Sequence, residues 1–257
     1  MKDKMNRENS LQQYFRTDHY RASSRDVDLY QRLRMGALFA MMQESAWRHA
    51  ESLGFGYSHL DRDGRFWVLS RLTMEIHHLP VWGEEFDLKT WPSGNQGVFA
   101  LRDMKISSPA RELVSIVTAW LVVDRDTRRP MRPRDIISVP EPLTRFRALD
   151  ETPVRLPELA NSMVGRHARV GYTDLDLNGH VNNTRYIDWM QDCFDDRFHQ
   201  NHRLRRLEVN FLAELRLGEG LDLVRASDEN NIWLLEGRAE GGKPVVRGRF
   251  HWVPEGS

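Results

Sequence analysis

Between Tyr172 and Trp189 the chain reads YTDLDLNGHVNNTRYIDW, with Asp174, Asp176, Asn178 and His180 at every second position. Carboxylates and an imidazole move protons, and an amide holds a water or a carbonyl oxygen. Strict alternation sends such a set to one face of an extended segment. Asn182 and Asn183 follow, and either makes a good helix N-cap. The free N–H groups of a helix start attract developing negative charge, which puts an oxyanion site beside the proton-handling groups. That equipment reads as an active site. The run also opens like a calcium loop, with Asp174, Asp176 and Asn178 as its first ligands. The position where calcium needs a bidentate glutamate is Arg185, so no metal is expected.

The elements that carry this segment are written twice. At an offset of 148 residues (His19 to His167), segment 18–44 lies without a gap over segment 166–192. His19/His167, Arg21/Arg169, Asp26/Asp174, Asp28/Asp176, Leu29/Leu177, Met42/Met190 and Gln43/Gln191 are identical pairs. Further on, Glu75 and Glu208 open comparable runs, and WGEEFDL (82–88) echoes LGEGLDL (217–223). Each copy reads as strand, loop, helix and several strands, an α+β pattern. The first copy predicts a strand over 14–23, a helix over 35–53 and strands near 66–79, 84–91, 98–107 and 113–123. The second predicts a strand over 166–172, a helix over 183–199 and strands near 204–213, 219–226, 231–239 and 244–252. Tyr186, Met190, Cys193 and Arg197 mark the expected buried stripe of that helix. The proline-rich stretch 140–161 has no clean period and reads as a linker. It divides the chain into an N-terminal domain, 1–150, and a C-terminal part, 151–257. In the first copy Asn178 and His180 are replaced by Tyr30 and Arg32, so one site per chain is expected.

Composition narrows the class. The 37 basic and 37 acidic residues cancel, so no overall field draws the chain to nucleic acid or an anionic membrane. The single cysteine, Cys193, excludes an intrachain disulfide and a cysteine zinc cage, and suits a reducing compartment. The start MKDKMNRENSLQQ has no apolar h-region, and the near-apolar run 113–123 is too short to span a bilayer. A cytoplasmic protein is expected. The His77–His78 pair falls on a predicted strand, where the two rings point to opposite faces.

The residues Asp176, Asn178, His180, Val181, Asn182, Asn183, Tyr186 and Trp189 fit the pattern D-x-N-x-H-V-N-N-x-x-Y-x-x-W. In this the chain resembles the acyl-ACP thioesterase family of plants and bacteria. That family carries a catalytic glutamate in a segment like Y-x-x-E, and Phe211-Leu212-Ala213-Glu214 places Glu214 at the matching 34 residues past His180. Trp67–Arg71, Thr90–Trp91 through Ser93–Gly94 to Arg102–Asp103, and Asp126–Arg129 are further family-like stretches, in the family's order. The resemblance implies two tandem hot-dog domains, a double hot-dog pseudo-dimer, whose non-catalytic first half shapes the acyl pocket and whose second half carries a catalytic quartet of Asp176, Asn178, His180 and Glu214. It implies no cofactor, and it implies acyl carrier protein bearing a fatty acyl chain as partner, with the enzyme a monomer or homodimer. Glu214 would be the general base and His180 its partner in the proton network. Asn178 would hold the water or the carbonyl, and Asp176 would orient its neighbours. Asn182, Asn183, Arg128 and Arg129 would bind substrate.

Opposite Glu214 the first copy offers Pro80 or Val81, which handle no proton. Plant members often have a cysteine after the glutamate, whereas this chain has Leu215, so a cysteine nucleophile is not expected. Met35, Met41 and Met42 are core residues or line the acyl pocket. The clusters Arg125, Arg128, Arg129, Arg132, Arg134 and Arg203, Arg205, Arg206 are either solvated edges or docking points for an acidic carrier. The rival readings are an acyl-CoA thioesterase of the same fold and a non-catalytic acyl-binding module.

Overall fold

Alternating apolar runs punctuated by turn residues build one antiparallel sheet in the computed structural model, which describes residues 11–160, 162–227 and 231–256. Its strands are β1 (Arg16–Arg21), β2 (Arg65–Ile76), β3 (Glu85–Gln96), β4 (Phe99–Ser108), β5 (Arg111–Asp124), β6 (Pro130–Met131), β7 (Met163–Arg169), β8 (His202–Phe211), β9 (Gly220–Ser227), β10 (Ile232–Ala239) and β11 (Pro244–Pro254). They run in the order β1-β3-β4-β5-β2-β8-β11-β10-β9-β7, with β6 beside β5. The order reads the same from either end: 1-3-4-5-2 meets 8-11-10-9-7. At the seam Thr73 pairs with Glu208 and Glu75 with Arg206, so the register is symmetric about Met74 and Leu207. With Glu75 equivalent to Glu208, a two-fold axis passes through that pair.

Each half wraps around a helix. Helix α1 (Met35–Ser52) turns Met35, Leu38, Phe39, Met42 and Ala46 inward, and α2 (Tyr57–Arg62) follows it. The corresponding α3 (Asn183–Gln191) buries Tyr186, Ile187, Trp189 and Met190, and α4 (Asp196–Asn201) follows it. A single core joins both helices to the sheet. The two-fold makes α1 and α3 antiparallel, and they touch where the Asp188 carboxylate fills the space beside Gly36. In the second half Phe194, Phe250 and Trp252 fill the volume between helix and strands.

Two expectations change here. The helix expected over 183–199 is two helices, because Asp195 caps a new one by accepting from Phe198 N at 2.8 Å. The expected stripe therefore ends early: Tyr186, Met190 and Cys193 are buried but Arg197 is exposed. Strand β2 ends at Ile76, and the N–H groups of His77 and His78 both donate to Leu113 O, so the two histidines lie beyond the ladder.

The expected linker is a strap over residues 140–160. Successive residues of β4 face opposite ways: Arg102 reaches His49 of α1, while Asp103 accepts from Arg147 Nε and Ala148 N at 3.1 and 2.6 Å. Asn210 of β8 accepts from Leu156 N and donates to Val154 O at 2.8 and 3.0 Å. The strap thus ties buried polar groups of both halves on the sheet surface away from the helices.

Candidate active site

The loop before α3 is a turn, where the alternating pattern predicted an extended segment. Leu175 and Val181 form an antiparallel bridge, Asp176 N donates to His180 O at 2.8 Å, and Gly179 reverses the chain at φ 74°. Asp176 Oδ1 accepts from Asn178 N (2.8 Å) and His180 N (3.3 Å), so its carboxylate holds the turn through the main chain. Asp174 is buried and spent on Gly171 N and Arg185 Nε, 2.8 and 2.7 Å away. Arg185 sits where a calcium loop needs its glutamate.

Val181 N donates to Leu215 O at 2.9 Å, which ties the loop to the chain leaving β8. Glu214 thereby reaches His180: Nε2 and Oε2 stand 3.3 Å apart, with side chains 18% and 43% exposed. Asn182 is the N-cap of α3, its Oδ1 accepting from Thr184 N at 3.0 Å, and Arg185 N donates to Asn182 O at 2.9 Å. Among the described residues, the N–H of that first turn left for a carbonyl oxygen is that of Asn183.

The first copy has the same loop without the chemistry. Asp28 Oδ1 accepts from Tyr30 N and Arg32 N, both at 2.9 Å, and Val27 bridges Leu33. Leu33 N donates to Pro80 O, so hydrogen bonding equates Pro80 with Leu215 and puts Leu79 opposite Glu214, one residue before the sequence expectation. Tyr30 donates to Asp196 Oδ1 at 2.6 Å, and Arg32 donates to His199 O and His202 O at 2.9 and 3.3 Å. This second loop is a clamp onto α4 and β8.

A cavity of about 1590 Å³ joins the halves, and Asp176, Asn178, His180, Asn182, Asn183 and Glu214 all line it. Its other wall is the first half, where Ala40, Gln43, Trp47 and Ala50 present one face of α1. Of the two arginines expected to bind substrate, Arg128 lines this cavity, stacked over Phe66 at 5.6 Å, while Arg129 is exposed and outside its lining. Met35 and Met42 are core and Met41 is half-buried; none of the three lines the cavity. Arg125 pairs with Asp61, Arg205 donates to Ile76 O and His77 Nδ1, and Arg206 pairs with Glu75 and Glu151. Those side chains are engaged within the molecule.

Cys193 lines a separate depression, and burial pushes its thiol up to about 11, far from a nucleophilic thiolate. Tyr186 is a motif residue and part of the helix stripe, to which the sequence assigns no role at the site. Its hydroxyl is buried against the Leu215 main chain, and burial raises its pKa, with the charges of Glu219, Glu214 and Asp176 adding to the rise. Arg102 enters the sequence reading only as part of a family-like stretch, with no role, and His49 does not enter it. The signal for Arg102 was a cation in the inward register of Ala100, Met104 and Ile106. Among the described residues, no helix is long and apolar enough to cross a membrane.

Two helices, each packed against half of one antiparallel sheet and related by a two-fold axis, define a double hot-dog protein. Residues 13–139 match the family description "Acyl-ACP thioesterase N-terminal domain", and residues 159–252 match "Acyl-ACP thioesterase C-terminal domain". The chain belongs to the acyl-ACP thioesterase family. Among curated relatives, the oleoyl-acyl carrier protein thioesterase 2, chloroplastic, of Arabidopsis thaliana is 26% identical over 211 residues, 74% of this chain and 57% of that protein. The dodecanoyl-[acyl-carrier-protein] hydrolase, chloroplastic, of Cinnamomum camphora is 26% identical over 243 residues, 85% of this chain and 62% of that protein. The chain thus spans roughly three-fifths of the length of these relatives. An acyl-ACP thioesterase structure from Bacteroides thetaiotaomicron superposes with a TM-score of 0.79 at 26% identity, covering 94% of this chain and 99% of that one. The 12:0-ACP thioesterase of Umbellularia californica shares the fold, with a TM-score of 0.81 at 20% identity over 94% and 98% of the two chains.

Proposed function

We propose that this chain hydrolyses the thioester of a fatty acyl group carried on acyl carrier protein, releasing the free acid and the carrier thiol. The observation that carries the reading is the Glu214–His180 pair, 3.3 Å apart on the wall of a cavity that extends along α1 of the other half. Family membership and the names of the relatives support the substrate class. Glu214 acts as the general base on water, and His180 shares its proton. Asn178 holds the water or the carbonyl, and the Asn183 N–H faces the developing oxyanion. Asp176 acts through the turn it holds.

A thiol leaving group with a pKa near 8.5 departs as thiolate at a cost of only about 2 kcal/mol at neutral pH. Water activation and oxyanion binding, the latter about 3–4 kcal/mol per good donor, therefore carry the rate. On this reading the half ending near residue 150 supplies the acyl cavity and the half from 151 supplies the chemistry. Arg128 and Arg129 face the carrier. The site is complete within one chain, so a monomer suffices, and the free thiol fits the cytoplasm.

Release of thiol from acyl-ACPs of graded chain length, beside the matching acyl-CoAs, tests the proposal. It expects turnover with lower KM on the carrier, and charge reversal at Arg128 and Arg129 that raises KM for the carrier-bound substrate only. Saturable binding with no thiol released from any thioester contradicts it.

A further inference from the structure

Arg102 of β4 lies under α1 and is only 6% exposed. Its Nη1 donates to His49 Nδ1 and Thr90 Oγ1 at 3.0 and 3.1 Å. Both partners are neutral: burial, and then the guanidinium itself, push the His49 imidazole down to about 3. Burial pulls Arg102 down to about 10, which leaves it a cation at neutral pH. Among the described residues no carboxylate lies within ion-pair reach of it. Asp103, its neighbour in sequence, faces the strap and is held by Ser93, Arg147 and Ala148 N.

A buried cation without a counter-charge is costly, and proteins normally pair one or give it a ligand. This one lines the same cavity as His180 and Glu214. Among the described residues its Nε and Nη2 have no acceptor, so a fork of donors remains for whatever enters. Its depth follows from the two-fold. Asp188 lies against Gly36, so in antiparallel helices Ala40 is level with Thr184 at the start of α3. His49 stands nine residues further along α1, about 14 Å at the helical rise. The core-facing stripe of α1 becomes polar over the same stretch, at Ser45 and His49.

We propose that Arg102, positioned by His49 and Thr90, is a polar subsite within the cavity for an acyl chain bearing an oxygen acceptor, a carboxylate or a hydroxyl, far from its thioester. The proposal rests on the cavity being the acyl site; it adds that an oxygenated tail is favoured over a plain alkyl one. A carboxylate supplies the missing counter-charge, and a hydroxyl supplies an acceptor alone, so the carboxylate ranks first.

The test compares dodecanoyl, ω-hydroxydodecanoyl and ω-carboxy tails of equal length, each on acyl carrier protein and on coenzyme A. Affinity is measured on the Glu214→Gln protein so that hydrolysis does not consume the probe. The expected result is at least about tenfold tighter binding of the ω-carboxy tail than of the plain tail on the same carrier. In the Arg102→Met double variant that ratio collapses toward one, and Arg102→Lys restores part of it. Equal affinity for the three tails in the protein that retains Arg102 overturns the proposal, as does a ratio unchanged by Arg102→Met in a protein that still melts cooperatively. If the unmodified protein releases no thiol yet the tail preference is present, the hydrolysis reading fails and the subsite stands. If thiol is released without tail preference, the reverse holds.

Discussion

Asp176 illustrates how far a residue's type reveals its job. The resemblance gives it the task of orienting its neighbours, and its Oδ1 is engaged by the N–H groups of Asn178 and His180. Asp28 makes the same two bonds in the copy that lacks the chemistry. The carboxylate is a turn-holder, and an amide oxygen accepts the same bonds. Asp176→Asn should therefore keep most of the turnover, whereas Asp176→Ala should lower kcat at least about tenfold by freeing Asn178 and His180. Steady-state thiol release on both variants checks this, and equal losses would make the charge itself necessary. The motif residues were legible because several polar types at fixed spacing seldom coincide by accident. Arg102 was less so: its inward register was there to be read in β4, but whether a carboxylate meets it depends on neighbours from α1 and β3 that are distant in sequence.

At the scale of elements, periodicity located nearly every strand and misjudged two connections. The helix after the motif stops at Gln191 because Asp195 offers Phe198 N a better partner than the preceding turn does. An Asp three residues before the amide it caps is a signal the sequence displays, but the apolar spacing of Met190 and Cys193 masks it. Asp195→Ala should cost about 1 kcal/mol, lowering Tm by about 2–4 °C, and leave kcat unchanged, because α4 packs beside the inactive loop. A thermal melt with a parallel turnover assay reads both quantities. The 172–181 segment misled for a related reason. Alternation is shared by strands and by turns that alternate inward and outward residues, and the bridge between Leu175 and Val181 decides for the turn. The link from Val181 to Leu215, which delivers Glu214, is long-range and leaves no local period.

Over the whole molecule, a symmetric sheet carries two asymmetric loops. One faces a cavity with Asn178, His180 and Glu214, while the other is clamped by Tyr30 and Arg32 to α4 of the second half, which aromatic rings fill. The repeat was visible as paired identities, and the strand order now gives it a two-fold axis at Met74 and Leu207. The family resemblance assigned the acyl pocket to the first half; the residues alone carried no such signal, because the volumes of Phe194, Phe250 and Trp252 matter only once they converge. If one Glu214–His180 pair per chain does the hydrolysis, single-turnover thiol release from acyl-ACP by Glu214→Gln and His180→Ala proteins exposes it. The expected rate in each variant is at least about a hundredfold below that of the unmodified protein, with substrate affinity and thermal stability retained. A rate within a few-fold of the unmodified protein in both variants would contradict it.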